Sequence, residues 1–289
     1  MGLAAPALAI AGAVCSAAAT IFIRHGLRRS GAYAGFWINL LVGTAGLWIA
    51  VFLTGGFGPP TFAGIALFAS AGLLGTVGGR FLRFISIEQV GAAIASALIN
   101  LYPLFASGFA ILLLGERVTP PIVAGTVVIA LGTMLLSTGG RRVGFRRWQV
   151  GLPILSAACF GAVAILRKLG LAHTGAVAGS AVNVTTALIA FTAFAIASRQ
   201  LDNLRCRGQS LAYFVAAGVA ENAAVFLNVL ALGVGTVSVV APLYGTSPIF
   251  VLLLSFFFLR GVERATPRVV AGTVLIVVGV YLITGLSRH

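Results

Sequence analysis

Apolar residues in this chain do not alternate with polar ones. They come in long unbroken runs. No Asp, Glu, Lys or Arg interrupts residues 3–23, 30–79, 89–115, 118–140, 148–166, 174–198, 222–259 or 269–287. A helix of about 20 apolar residues crosses a bilayer. Several of these runs are long enough for two crossings, split by breakers such as GGFGPP (55–60) and GVGT (233–236). The pattern predicts ten helices, at 3–23, 33–54, 61–86, 91–114, 120–138, 150–170, 175–197, 210–232, 237–259 and 268–285. Continuous runs disfavour a membrane β-barrel, whose strands alternate. The expected fold class is an all-α polytopic membrane protein with ten transmembrane helices.

The chain is also written twice. ERVTPPIVAGTV (116–127) returns as ERATPRVVAGTV (263–274), identical at nine of twelve positions. Upstream, Cys15/Cys159, Gly26/Gly170, Gly35/Gly179 and Asn39/Asn183 keep one offset, and Pro103 aligns with Pro248. Such self-similarity marks a repeated structural unit. The expected organisation is a first five-helix repeat over 1–140, a basic linker at 141–149 and a second repeat over 150–289. Five is odd, so the second copy enters the membrane upside down. Inverted repeats of this kind build secondary transporters, whose halves exchange conformations around a central site.

Composition agrees with a lipid environment. The chain is 60% hydrophobic and 8% charged, against about 25% charged in soluble domains. The net charge of +14 does not indicate a nucleic-acid partner, because the basic residues sit between apolar runs. Arg24, Arg28, Arg29, Arg141, Arg142, Arg146, Arg147, Arg199, Arg205, Arg207, Arg260, Arg264 and Arg268 fall after odd-numbered helices; only Arg117, Arg167, Lys168 and Arg288 fall on the other side. The positive-inside rule then puts the odd loops in the cytoplasm and both termini outside. The N-terminus lacks a basic region before its apolar stretch, so residues 3–23 read as a retained first span and not as a signal peptide. Cys15, Cys159 and Cys206 have no metal-ligand spacing.

Within the repeated block, Thr119-Pro120 and Thr266-Pro267 read as the start of each half's last helix. Glu116 and Glu263 then sit at the membrane surface. Gly125/Gly132 and Gly272/Gly279 form small-residue stripes suited to close helix packing. Pro103 and Pro248 fall inside apolar spans and are expected to kink them.

Two five-helix copies, LYP (101–103) and TSP (246–248) in the fourth helix of each, then Gly-Glu-Arg or Val-Glu-Arg followed by TP and VAGT: this resembles the EamA-type transporters of the drug/metabolite transporter superfamily. The resemblance covers nearly the whole chain. It implies a polytopic carrier of the bacterial inner membrane, many members being exporters of amino acids and other small metabolites. One departure is visible. Tryptophans, which often line the cavity in that family, occur here only at 37, 48 and 148.

An ionisable side chain at membrane depth is costly and is a functional candidate. Of five carboxylates, Glu221 alone falls near the centre of a span, with Asn222 beside it and Asn228 two turns along the same face. One reading has Glu221 binding a substrate ammonium or the coupling proton; the other makes it a structural partner for an arginine. Arg80 and Arg83 share a face near the end of the third span, the repeat counterpart of the eighth. They either hold a substrate carboxylate or phosphate or snorkel to the interface. Asn100, Tyr102 and Tyr244 adjoin the two prolines and complete the candidate substrate- or proton-binding set, whereas the paired Asn39 and Asn183 read as structural. A cation-binding and an anion-binding end together would suit a zwitterionic amino acid.

The competing classes are weaker. His25, His173 and His289 lie in loops or at the terminus, so no Ser-His dyad forms at membrane depth. No HExxH and no phosphate-binding G-x-x-x-x-G-K-[ST] loop is present. An intramembrane enzyme is disfavoured, and a non-transporting scaffold would not need an inverted pair around a buried acid. The sequence therefore reads as a secondary transporter exporting a small metabolite, an amino acid or a related compound, by alternating access. No cofactor is expected. The partners are the lipid bilayer and the small-molecule substrate, and ten helices enclose a site in a monomer.

Overall fold

The computed structural model of the protein describes residues 4–55, 61–90, 98–116, 118–137, 151–258 and 267–285. Every regular element among them is helical. In the first half these are α1 (Ala4–Gly26), α2 (Ala32–Thr54), α3 (Phe62–Ala71), a π-helical stretch (Gly72–Gly79), α4 (Arg80–Val90), α5 (Tyr102–Leu114) and α6 (Pro120–Ser137). The second half holds α7 (Gly151–Gly170), α8 (Ala176–Ala197), a short 3-10 turn (Leu201–Leu204), α9 (Gln209–Val234), α10 (Val237–Tyr244), α11 (Ser247–Phe258) and α12 (Pro267–Gly285). Except at their ends, helices satisfy their backbone N–H and C=O groups within the segment, which an apolar surrounding demands. Six are long and apolar enough to cross a membrane: α1, α2, the continuous rod Phe62–Arg83, α7, α8 and α9. The other four expected spans are shorter apolar helices. Large apolar side chains cover the outside, with Leu53, Phe62 and Leu112 each at least 79% exposed. Surface of that kind belongs in lipid.

Local signals explain the ends. Thr61 accepts a hydrogen bond from Gly64 N at the start of α3. The Thr119 carbonyl accepts the first bonds of α6, which opens on Pro120 as its sequence predicts. Gly55 and Gly115 close α2 and α5 with φ near +60°, a conformation glycine adopts without penalty.

The halves interlock through repeat-equivalent residues. Phe214 of α9 fills a notch made by Gly26 and Gly35; a Cβ on either glycine would lie 2.4 or 2.5 Å from its ring. Phe68 of α3 fills the notch made by Gly170 and Gly179 in the same way, at 2.8 and 2.3 Å. Both rings are almost fully buried. The glycine stripes of α6 and α12 face each other, a Cβ on Gly125 falling 2.7 Å from the Gly279 carbonyl and one on Gly132 falling 2.8 Å from that of Gly272. Low numbers meet high numbers, so these two equivalent helices run antiparallel. Trp37 and Trp48 donate to Thr192 and Thr185 (3.1 and 2.9 Å), tying α2 to α8.

The prolines correct an expectation. Pro103 and Pro248 do not kink continuous helices. Each lies in the first turn of a new helix, α5 and α11, after a break at Asn100–Leu101 and Gly245–Thr246 respectively. Proline lacks the N–H that a first turn leaves unused, so it starts a helix more readily than it bends one. The breaks adjoin: a Cβ on Gly245 would lie 3.0 Å from the Pro103 ring, and the Tyr102 hydroxyl donates to the Ala241 carbonyl at 2.6 Å. The proline inside a helix is Pro242, in α10.

Candidate functional site

Glu221 projects from the buried face of α9, which also carries Phe214, Ala217, Gly218 and Asn222. Glycines bring α2 close. A Cβ on Gly43 would overlap the Asn222 amide, and one on Gly218 would press on Val42 and the Asn39 backbone. That proximity lets Asn222 Nδ2 donate to the Asn39 carbonyl (3.1 Å), to Asn39 Oδ1 (3.4 Å) and back to Gly218 O (2.8 Å). Arg80 arrives at the end of the π stretch. Its Nη1 donates to Asn39 Oδ1 at 3.3 Å, and its Nε stands 3.6 Å from Glu221 Oε1. Both charged residues are buried, so each needs the other. Glu221 Oε2 is buried without a hydrogen-bond partner among the described residues.

The π stretch GLLGTVGG explains how Arg80 reaches this depth. Its glycines admit neighbours closely: a Cβ on Gly72 would strike the Asn183 carbonyl, and one on Gly75 would strike Val163. Ser156 Oγ donates to the Gly79 carbonyl at 2.8 Å, satisfying a group the irregular winding exposes. Single-turn π segments are common at functional sites.

A second group mirrors the first. Asn183 Oδ1 accepts from Arg167 Nε and Nη2 (3.3 and 3.2 Å), while Asn183 Nδ2 donates to Thr76 Oγ1 (3.0 Å). Each member of the Asn39/Asn183 pair thus accepts from an arginine of its own half and is bonded to the third helical column of the other. Asn39 and Asn183 are structural in this sense, as their pairing in sequence suggested. Tyr244 lies within electrostatic reach of Glu221, Arg80 and Arg167, and Arg167 within reach of Arg80. Tyr102 meets Tyr244 edge-on, with centroids 6.5 Å apart.

Of the remaining candidates, Arg83 turns to α1, where Nη2 donates to Thr20 Oγ1 at 3.2 Å. Asn100 and Asn228 are half-buried, and no hydrogen bond joins them to the cluster among the described residues. Glu116 is more than an interfacial charge. Its carboxylate crosses to the second half and caps α10, accepting from Val237 N (2.9 Å), Ser238 N (3.1 Å) and Ser238 Oγ (2.7 Å). On the same turn Lys168 Nζ donates to the Leu232 and Gly235 carbonyls, each at 2.7 Å, closing the end of α9. Glu263, Arg117, Trp148 and the linker 141–149 lie outside the described residues.

Sequence reasoning missed Arg167 as a site residue, counting it among loop charges. A signal was available: the repeat aligns it with Ile23, a position inside α1. Thr76 had no signal beyond being polar in an apolar run.

Apolar helices, two interlocked repeats and a buried charged cluster between them define an integral, multi-pass membrane protein. The model of the EamA-like transporter family matches the sequence twice, at residues 3–138 and 147–285. The chain belongs to that family, and so to the drug/metabolite transporter superfamily. It also shares its fold with a solved crystal structure of a protein of unstated function, at a TM-score of 0.81 and 19% identity, covering 100% of this chain and 99% of the other. No curated protein matches the sequence.

Proposed function

We propose that the protein is a secondary carrier of the bacterial inner membrane, exporting a small ionisable metabolite, an amino acid or a related compound. In this reading its ten helical columns cross the bilayer as two inverted five-helix repeats, and a single chain suffices. The observation that carries the reading is the Arg80–Glu221 pair, which is buried between α4 and α9, equivalent columns of opposite halves. Paired charges at membrane depth are the usual mark of a substrate or proton path. The orphan oxygen of Glu221 suits a substrate N–H or a transferred proton. Alternating access follows from the exchange symmetry of the halves.

The test is uptake of a labelled amino-acid panel into liposomes containing the protein, with and without a pH gradient, for wild type and Glu221→Gln. Saturable uptake whose pH response is lost in the variant supports a carrier with Glu221 on the path. Uptake identical in the two proteins returns Glu221 to a structural role.

A further inference from the structure

We infer that the transported molecule is net anionic and that Arg167 holds its acidic group; this deepens the carrier reading and rests on it. The neighbouring arginines are committed. Arg80 faces Glu221 and bonds Asn39, and Arg83 bonds Thr20. Arg167 has no such charge partner among the described residues. Two of its nitrogens converge on one neutral oxygen, Asn183 Oδ1, and its Nη1 group has no partner among the described residues.

No carboxylate of the described side chains is available to it. Glu116 is held by Val237 and Ser238, Asp202 pairs with Arg205 in an exposed turn, and Glu221 serves Arg80. Glu88 lies eight residues beyond Arg80 on α4, about 12 Å along the axis at the helical rise. Among the described residues the cluster therefore holds two guanidinium groups against one carboxylate. Arg167 is half-buried; an uncompensated charge held partly out of water is costly, and an arriving anion offsets that cost.

The arginine is also set for the task. Asn183 turns its amide nitrogen to Thr76, which fixes its oxygen towards Arg167 and holds the guanidinium in place. A restrained guanidinium presents a planar fork that matches a carboxylate or a phosphate. The fold's internal symmetry does not demand it, since the repeat places Ile23 at the equivalent position. Glu221 Oε2 has no hydrogen-bond partner among the described residues and remains open to a donor. An acidic amino acid, a hydroxy acid or a phosphate monoester fits this pairing better than a neutral zwitterion.

The test is the melting temperature of the purified protein in detergent, titrated with succinate, glutamate, glycerol 3-phosphate, alanine and putrescine. At least one of the three anions is expected to raise it, while alanine and putrescine do not. The carboxylate and phosphate arms decide which acid the fork takes. Apparent affinity for that anion should fall roughly tenfold or more in Arg167→Gln, the least that loss of a charged hydrogen bond implies. Arg167→Lys should restore part of it, and Arg205→Ala, on the surface, should change nothing. If the glutamine variant does not fold, the lysine variant carries the test, with weakened but still anion-selective binding expected. Stabilisation by alanine or putrescine equal to that by the anions, stabilisation by no anion, or unchanged affinity in the Arg167 variants overturns the inference. Anion binding without uptake into liposomes would sink the carrier reading and leave the anion site standing. Uptake of alanine in preference to the anions would do the reverse.

Discussion

Glu116 reaches across the boundary between the repeats to the first backbone N–H groups of α10 and to the hydroxyl of Ser238. A carboxylate at a helix N-terminus gains from the hydrogen bonds and from the helix dipole. Glu116→Gln keeps the shape but loses the charge and part of the capping. It should lower stability by about 1–2 kcal/mol, read as a drop in melting temperature, with Ser238→Ala causing a smaller drop. A Gln variant melting with wild type would mean that the contact contributes nothing.

Removing one partner of the Arg80–Glu221 pair strands a buried charge. Arg80→Met alone should destabilise by roughly 3–5 kcal/mol, whereas Arg80→Met combined with Glu221→Leu should recover much of the loss. Thermal unfolding of the single and double variants measures the coupling. A double variant no more stable than Arg80→Met would show that the two charges are not compensating each other.

Gly132 sits against the Gly272 carbonyl with no room for a Cβ. Gly132→Val should separate α6 from α12 and cost about 1–3 kcal/mol or more, visible as loss of the monodisperse peak in size-exclusion chromatography. Gly46, exposed on α2 with nothing within 4 Å of a built Cβ, is the counter-case. Gly46→Ala should be neutral or stabilising by roughly 0.5–1 kcal/mol. Equal behaviour of the two substitutions would contradict the close approach.

Phe68 and Phe214 fill equivalent notches. Phe68→Ala and Phe214→Ala should each cost about 3–5 kcal/mol, by similar amounts. Chemical denaturation in detergent compares them, and a large inequality would break the equivalence.

Much of this was legible in the sequence because it is local or periodic. Apolar runs gave the helices, and the offset of Gly26/Gly170 and Asn39/Asn183 gave the repeat. The glycine stripes of α6 and α12 marked both helices for close packing, though not against each other, and the rarity of buried charge singled out Glu221 and Arg80. What stayed hidden depends on distance in sequence or on register. Nothing near Glu116 announces that it caps a helix beginning at residue 237. Arg167 looks like a topogenic charge because it stands three residues from the end of α7, and only tertiary packing turns it inward. A proline in an apolar run reads the same whether a helix bends at it or begins there. The choice was made by the preceding turn, at Asn100–Leu101 and at Gly245–Thr246.

The crossed placement of Phe68 and Phe214 bears on how the protein is made. The groove between Gly26 and Gly35 emerges from the ribosome early, but the ring that fills it belongs to α9, three quarters of the way along the chain. Until that helix inserts, the groove has only lipid to fill it. The groove between Gly170 and Gly179 is different, because Phe68 is already in the membrane when it appears. Insertion is therefore lopsided, with the first half a waiting template and the second half the piece that completes both. Either half produced alone should be a poor substrate for folding and a good one for quality-control proteolysis. The two produced as separate chains should find each other.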